Sequence, residues 1–215
     1  MMDLQDRGCH NIDLVTPTHY IPFILKSVYL AAEKGLQVPL IYNCSGYESV
    51  ETLRLLDGII DIYLPDWKYG EEDIAEEYSN APAYPLICQS AVKEMHRQVG
   101  DIRVDEEGIA QKGVIVRHLV LPSHLSNSER VLSLIVKTLS PPIRISLMSQ
   151  YVPTYQAHHH PRLNRSLLPE EYEEVRKMME GFNFDEYWIQ ELERNESCLP
   201  DFKEKDPFPE QLLSR

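Results

Sequence analysis

The strongest constraint on the fold is an alternation. A short apolar run, a polar exit and a stretch of helical periodicity follow one another about five times. The apolar runs are Asn11 to Val15, Val38 to Tyr42, Ile59 to Leu64, Val114 to Leu121 and Ile143 to Met148. Their length and β-branched content suit strands. After the first, Pro22 opens a helix to about Lys34, with Phe23, Ile24, Val28 and Ala31 at the helical period before Gly35. A short helix over Val50 to Leu56 carries Val50, Leu53 and Leu56 on one face. Glu71 to Tyr78 reads as a short acidic helix, and Tyr84 to Val99 as a longer one with Leu86, Ile87, Ala91 and Met95 inward. Ser126 and Glu129 have capping-box spacing before a helix over Asn127 to Leu139. Glu170 to about Met179 is another acidic helix, stopped at Gly181. Alternation of this kind predicts the α/β class, with a parallel sheet or partial (βα) barrel and helices outside. Asp101 to Lys112 interrupts it as a small β-excursion that turns at Asp105 to Gly108. The repetition is one of pattern, without a repeated sequence.

The 215 residues suffice for one sizeable core. The expected division is 1–181 as the barrel and 182–215 as an extension, with Pro200, Pro207 and Pro209 in an extended tail. The net charge of −13 argues against a nucleic-acid partner, which requires a basic stripe. No apolar run has the length of a membrane span, and the start MMDLQDRGCHN has no signal-peptide pattern. Cys9, Cys44, Cys88 and Cys198 are scattered, with no C-x-x-C pair. That argues against a zinc ribbon, a disulfide scaffold and a self-contained iron–sulfur motif, and predicts a reducing, cytoplasmic setting.

Chemistry on such a framework sits at the carboxyl ends of the strands. Those exits carry Thr16, Pro17, Thr18 and His19; Asn43, Ser45 and Gly46; Asp66 and Lys68; Arg117 and His118; Gln150 and Tyr151. Asp66 and Lys68 are two apart, so an anion and a cation leave one strand on the same face. Alone, that pair reads as an ion pair at a strand exit. Arg117 and His118 point to opposite faces, so one of them at most meets the others. His19 suits a helix cap and Gln150 a backbone bond. Together the exits form a polar rim that suits a ligand site.

The segments LVTPTHY, YNCSGYE, DIYLPDWKY, EMHRQVG, GVIVRHLVLP and LMSQYVP resemble those of radical S-adenosylmethionine proteins, in particular the group similar to pyruvate formate-lyase activating enzyme. The resemblance runs from about Leu4 to Gly181. It implies a partial barrel with S-adenosylmethionine across the strand ends beside a [4Fe–4S] cluster. It also implies a 5′-deoxyadenosyl radical that abstracts hydrogen from a glycyl radical enzyme or other protein substrate. Carried over by position, Thr16 and Pro17 stand where the family meets the methionyl amine, with only Pro17 matching its letters. Asn43 and Ser45 lie in the segment where activating enzymes have an acid. Asp66 and Lys68 match the family's D-x-K, with Lys68 against the methionine carboxylate. Arg117 stands for an arginine near the cofactor, and Gln150 lies toward its adenosine.

One departure is large. The family's C-x-x-x-C-x-x-C, whose thiolates hold the cluster, does not occur here, and the four cysteines do not replace it by spacing. Met2 to Gly8 reads as the tail of a helix. The expectation is therefore a radical S-adenosylmethionine barrel lacking its first βα unit, inactive in reductive cleavage as it stands. The alternative is a non-catalytic remnant that binds a nucleotide or a partner protein. Either way, an exposed sheet edge along Asn11 to Val15 invites self-association. A Schiff-base role for Lys68 is disfavoured by Asp66 beside it, which favours the ammonium form. His158, His159 and His160 read as a zinc site or as a polar loop, and three consecutive residues do not readily face one ion.

Overall fold

The computed structural model describes residues 1–139, 144–182, 184 and 186–192. Ile143, Cys198, Pro200, Pro207 and Pro209 lie outside them.

A short helix α1 (Met2–Asp6) leads into strand β1 (Ile12–Val15), helix α2 (Ile21–Ala32), strand β2 (Leu40–Cys44), helix α3 (Val50–Arg54) and strand β3 (Ile62–Pro65). Helices α4 (Glu72–Ser79) and α5 (Tyr84–Val99) follow. Next come β4 (Arg103–Val104), β5 (Ala110–Val114), β6 (Val116–Leu119), α6 (Ser128–Thr138), β7 (Arg144–Met148), α7 (Pro169–Glu180) and β8 (Glu186–Ile189). The class is mixed α/β with parallel sheets. One sheet runs β1-β2-β3-β5-β4 and the other β6-β7-β8. All neighbours are parallel except the β4–β5 hairpin. The sheets are joined where Asp66 bridges Arg117 and where β5 runs into β6 through Ile115, whose N–H meets Tyr63 O at 3.0 Å.

Parallel pairing puts registered residues on one face. One face carries Leu40, Tyr42, Cys44, Tyr63, Val116, His118, Ile145 and Leu147, all buried. The core lies between these side chains and the helices. Helix α5 closes it with Tyr84, Cys88, Ala91, Val92, Met95 and Val99, all buried. Leu86, expected inward, is 65% exposed. The inner face is set instead by Tyr84 and Cys88, one helical turn apart. The opposite face carries Asp13, Asn43, Asp66 and Arg117, and on β7 and β8 Ser146 and Trp188.

Strand β1 lies at the sheet edge, with no described strand on its far side, and Asp13 and Val15 are exposed. Three further expectations shift. Phe23 of α2 points to solvent, and Ile21 and Ala31 hold the inner face with Leu25 and Val28. The cap of α6 is Asn127, whose side chain accepts from Arg130 N–H at 3.4 Å. Ser126 is instead buried and accepts from Leu121 N–H at 3.2 Å. Strand β8 lies past residue 181, in the stretch read as an extension, and pairs Tyr187 with Ile145 and Trp188 with Ser146.

Candidate functional site

The carboxyl ends of β2 and β3, with Arg117 of β6 level beside them, bring four of the expected residues into one network. Arg117 donates through Nε to Asp66 Oδ1 at 2.7 Å and through its terminal nitrogen to Asn43 Oδ1 at 2.6 Å. Asn43 in turn donates to Asp13 Oδ2 at 3.2 Å. Lys68 Nζ stands 3.5 Å from the other Asp66 oxygen. The Asp66 side chain is 13% exposed and that of Lys68 36%, so the carboxylate is enclosed while the ammonium reaches solvent. Two cations, Arg117 and Lys68, face the Asp66 carboxylate, and Asp13 on the far side of Asn43 brings the network to charge balance. Asp13 was missed by the sequence reading. Its signal was a charge inside an apolar strand, on the face it shares with Val15 and, across the ladder, with Asn43.

The backbone at this rim is held closely. Thr16 has φ +49°, an uncommon setting for a β-branched residue, and its N–H meets Asn43 O at 2.8 Å. Gly46 has φ +75°, and a Cβ there would lie 2.3 Å from Asp66 O and 2.8 Å from Cys88 Sγ. Only glycine lets the loop after β2 press onto the loop after β3. Tyr84 reaches from α5 to tie the two. Its hydroxyl meets Ser45 O at 2.8 Å and Asp66 O at 2.9 Å, and it accepts Lys68 N–H at 2.9 Å. Ser45 thus enters through its carbonyl, while its hydroxyl accepts from Tyr47 N–H at 3.4 Å. A cavity of about 200 Å³ beside Lys68 is lined by Ser45, Tyr47, Tyr69 and Tyr84.

Behind the rim lies a buried carboxyl that the sequence reading did not single out. Glu48 accepts from Thr18 Oγ1 at 2.7 Å and from Tyr42 OH at 3.1 Å. Burial pushes its carboxyl above the usual range. It joins the turn after β1 to β2, which gives Thr18 a structural task.

The remaining expected residues stand apart from this network. Pro17 is buried and begins a turn over Thr18–Tyr20. His19 packs against the Tyr20 ring at 4.2 Å between centroids. Gln150 is exposed and accepts from Gln190 at 3.2 Å, at the ends of β7 and β8. His118 is wholly buried on the helix side, between Trp67 O at 2.7 Å and Ser128 Oγ at 2.9 Å. Burial brings its imidazole down to about 4, so it is neutral at pH 7. His158 meets Asn164 Oδ1 at 3.0 Å and His160 packs edge-on against Tyr78, in a turn over Tyr155–His159.

The thiols of Cys44 and Cys88 are buried and raised, mainly by desolvation. Cys9 lies near the other end of β1. Among the described residues no group of three His, Cys, Asp or Glu is placed to hold a metal ion. No described helix is long and apolar enough to cross a membrane.

No protein-family model matches the chain. Over 171 residues it is 34% identical to an uncharacterized protein of Methanocaldococcus jannaschii. The match covers 79% of this chain and 45% of that relative, so the chain spans less than half of the relative's length.

Proposed function

We propose that this chain is the S-adenosylmethionine-binding, carboxyl-terminal part of a radical S-adenosylmethionine enzyme, with the partial-barrel fold of that family. The observation that carries this reading is the convergence of Asn43, Asp66 and Lys68, at the carboxyl ends of β2 and β3, with Arg117 of the neighbouring parallel strand β6. The residues fit a zwitterionic sulfonium nucleoside. Lys68, with one partner at 3.5 Å and an exposed ammonium, would turn to the ligand carboxylate. Asp66 and Arg117 hold each other and fix the position from which Lys68 reaches. The strained exit at Thr16 would present backbone carbonyls to the ligand ammonium. Ser45 and Pro17 would shape the rim through backbone and packing, and Gln150 would stand at its far side.

The [4Fe–4S] cluster does not fit this chain. Two of its thiols are buried and protonated, and no three ligands converge among the described residues. No radical step is therefore derived from these residues. In this reading the cluster ligands come from another segment, and the substrate would be a glycyl radical enzyme or another protein.

Calorimetric titration with S-adenosylmethionine tests the proposal. Binding is expected, weakened about tenfold by Lys68→Ala, on the order of one charge-assisted contact. Wild-type protein that takes up no heat of binding would overturn it. The buried thiols also favour a second reading, a barrel that binds the nucleoside or a partner without radical chemistry. Anaerobic reconstitution with iron and sulfide separates the two for this chain. The second reading expects no bound iron after desalting.

A further inference from the structure

A larger cavity adjoins the one beside Lys68. After β7 the chain runs on from Tyr151 to Leu163, turning at Tyr155–His159. This segment and the carboxyl end of α4 are the two walls of a groove of about 510 Å³. Small-molecule sites span about 300–1,000 Å³. Ser79 lines both cavities, and its hydroxyl meets that of Tyr69 at 2.7 Å. The open edge at β1 takes no part in either wall. One part of the groove is aromatic, lined by Tyr78, Tyr151, Tyr155 and His160. His160 packs edge-on against Tyr78 at 5.3 Å between centroids, and the Tyr151 hydroxyl donates to Leu163 O at 2.9 Å, so three of the four rings are held in place. Tyr155 differs from them. Its side chain is 84% exposed and its φ is +49°. An aromatic residue in the left-handed region with its ring in solvent gains no packing to offset the strain, and such outliers persist at ligand sites.

The α4 side of the groove carries charge of both signs. Asn80 N–H goes to Glu76 O at 3.0 Å and Ala81 N–H to Ala75 O at 3.2 Å, and the next residue is Pro82. The carbonyls of Glu77 and Tyr78 are thus left without a donor among the described residues. Together with the Glu77 carboxylate they favour a cation at this helix end. Arg162 reaches the Tyr78 hydroxyl, as Glu77 does, and its own hydrogen bond is to Ser123 O at 3.2 Å. Neither Glu77 nor Arg162 forms an ion pair among the described residues. We propose that the groove binds a free aromatic amino acid, with its ring among Tyr78, Tyr151 and Tyr155, its ammonium at the end of α4 and its carboxylate on Arg162. Aromatic walls alone would take any planar ring. Opposite charges beside one hydroxyl select a ligand that carries both signs close together, as an α-amino acid does and a nucleobase does not. A residue within a peptide has neutral amides at those positions and would leave both charges unanswered. The inference does not rest on the cofactor reading, since Lys68 is no part of this groove. The two cavities would hold separate ligands one serine apart.

Calorimetric titration of the 215-residue chain with L-tryptophan tests it. Indolepropionate, which lacks the ammonium, and tryptamine, which lacks the carboxylate, are the comparison ligands. L-tryptophan should bind, and each analogue about tenfold more weakly or worse, the size of one charge-assisted contact. Tyr155→Asn suits the same backbone setting and removes an exposed ring. It should weaken L-tryptophan about tenfold with unchanged far-ultraviolet circular dichroism. Arg162→Gln should weaken L-tryptophan and leave tryptamine as it was, a difference that loss of folding would not produce. Lys68→Ala should leave L-tryptophan binding intact, so that failure here and failure of S-adenosylmethionine to bind are separate results. No heat of binding up to about 10 mM L-tryptophan, the weak end of the affinity scale, would overturn the proposal. So would analogues that bind as well as L-tryptophan, or an unchanged affinity in folded Tyr155→Asn.

Discussion

Helices α5 and α2 both cross over the same sheet and both show apolar periodicity, yet they end in different surroundings. The longer α5 buries seven residues, from Tyr84 to Val99, and supplies the tyrosine that ties the rim loops together. Over its twelve residues α2 buries two, Ile21 and Ala31, and leaves Phe23 and Leu30 in solvent. Periodicity therefore establishes that a helix forms, while its coverage depends on what lies on its outer side. The end of the sheet at β1 is where the described structure is least closed.

The largest effect expected from this contrast is at Met95, wholly buried on α5. Met95→Ala should cost about 2–5 kcal/mol in chemical denaturation, as large-to-small core changes do. Gly46→Ala should cost about 2–4 kcal/mol, because its Cβ meets a carbonyl oxygen at 2.3 Å and its φ is +75°. A crystal structure of that variant should show the two rim loops moved apart. An unmoved loop pair would mean that the close approach is not what sets the site.

Acid titration sharpens the same comparison. His118 sits between the α6 start and Trp67, with its imidazole lowered from 6.5 to about 4. The unfolded chain gains that proton first as pH falls. Stability should therefore drop between about pH 6.5 and pH 4, by on the order of 3 kcal/mol from this group. His118→Gln should flatten the pH dependence in that window, read from denaturation midpoints at each pH. Glu171 shows the carboxylate case. Arg165 holds it down to about 2 by hydrogen bonds of 2.6 and 2.8 Å. Its contribution is present above about pH 4.5 and lost as pH falls toward 2. The smallest effect belongs to α2. Phe23→Ser should change stability by no more than about 0.5 kcal/mol in chemical denaturation.

Much of the framework was legible in the sequence because the strand runs and their helices repeat one local pattern. The order of β1, β2, β3 and β7, the hairpin at Asp105 to Gly108 and the opposed faces of Arg117 and His118 all follow from period and turn chemistry. Asp66, Lys68, Arg117 and Asn43 were placed together because strand exits share one rim. What escaped was tertiary. Leu86 and Cys88 differ by two positions on one helix, and only the neighbouring Asp66 loop decides which turns inward. Asp13 and Glu48 depend on partners 30 residues away. Strand β8 follows a loop and an acidic helix, and its burial pattern is too exposed to mark it as a strand by composition.

The hydroxyl of Tyr84 has a consequence for how ligand contact would be felt. It meets one carbonyl from each rim loop and the Lys68 N–H, all at 2.8 to 2.9 Å. The loops after β2 and β3 are thus pinned to a single atom at the amino end of α5, and cannot shift separately without losing it. A force applied at Lys68 is passed to Ser45 through that atom before it reaches the sheet. The cradle would respond as one rigid jaw, and the freedom left at the site is the swing of the Lys68 side chain.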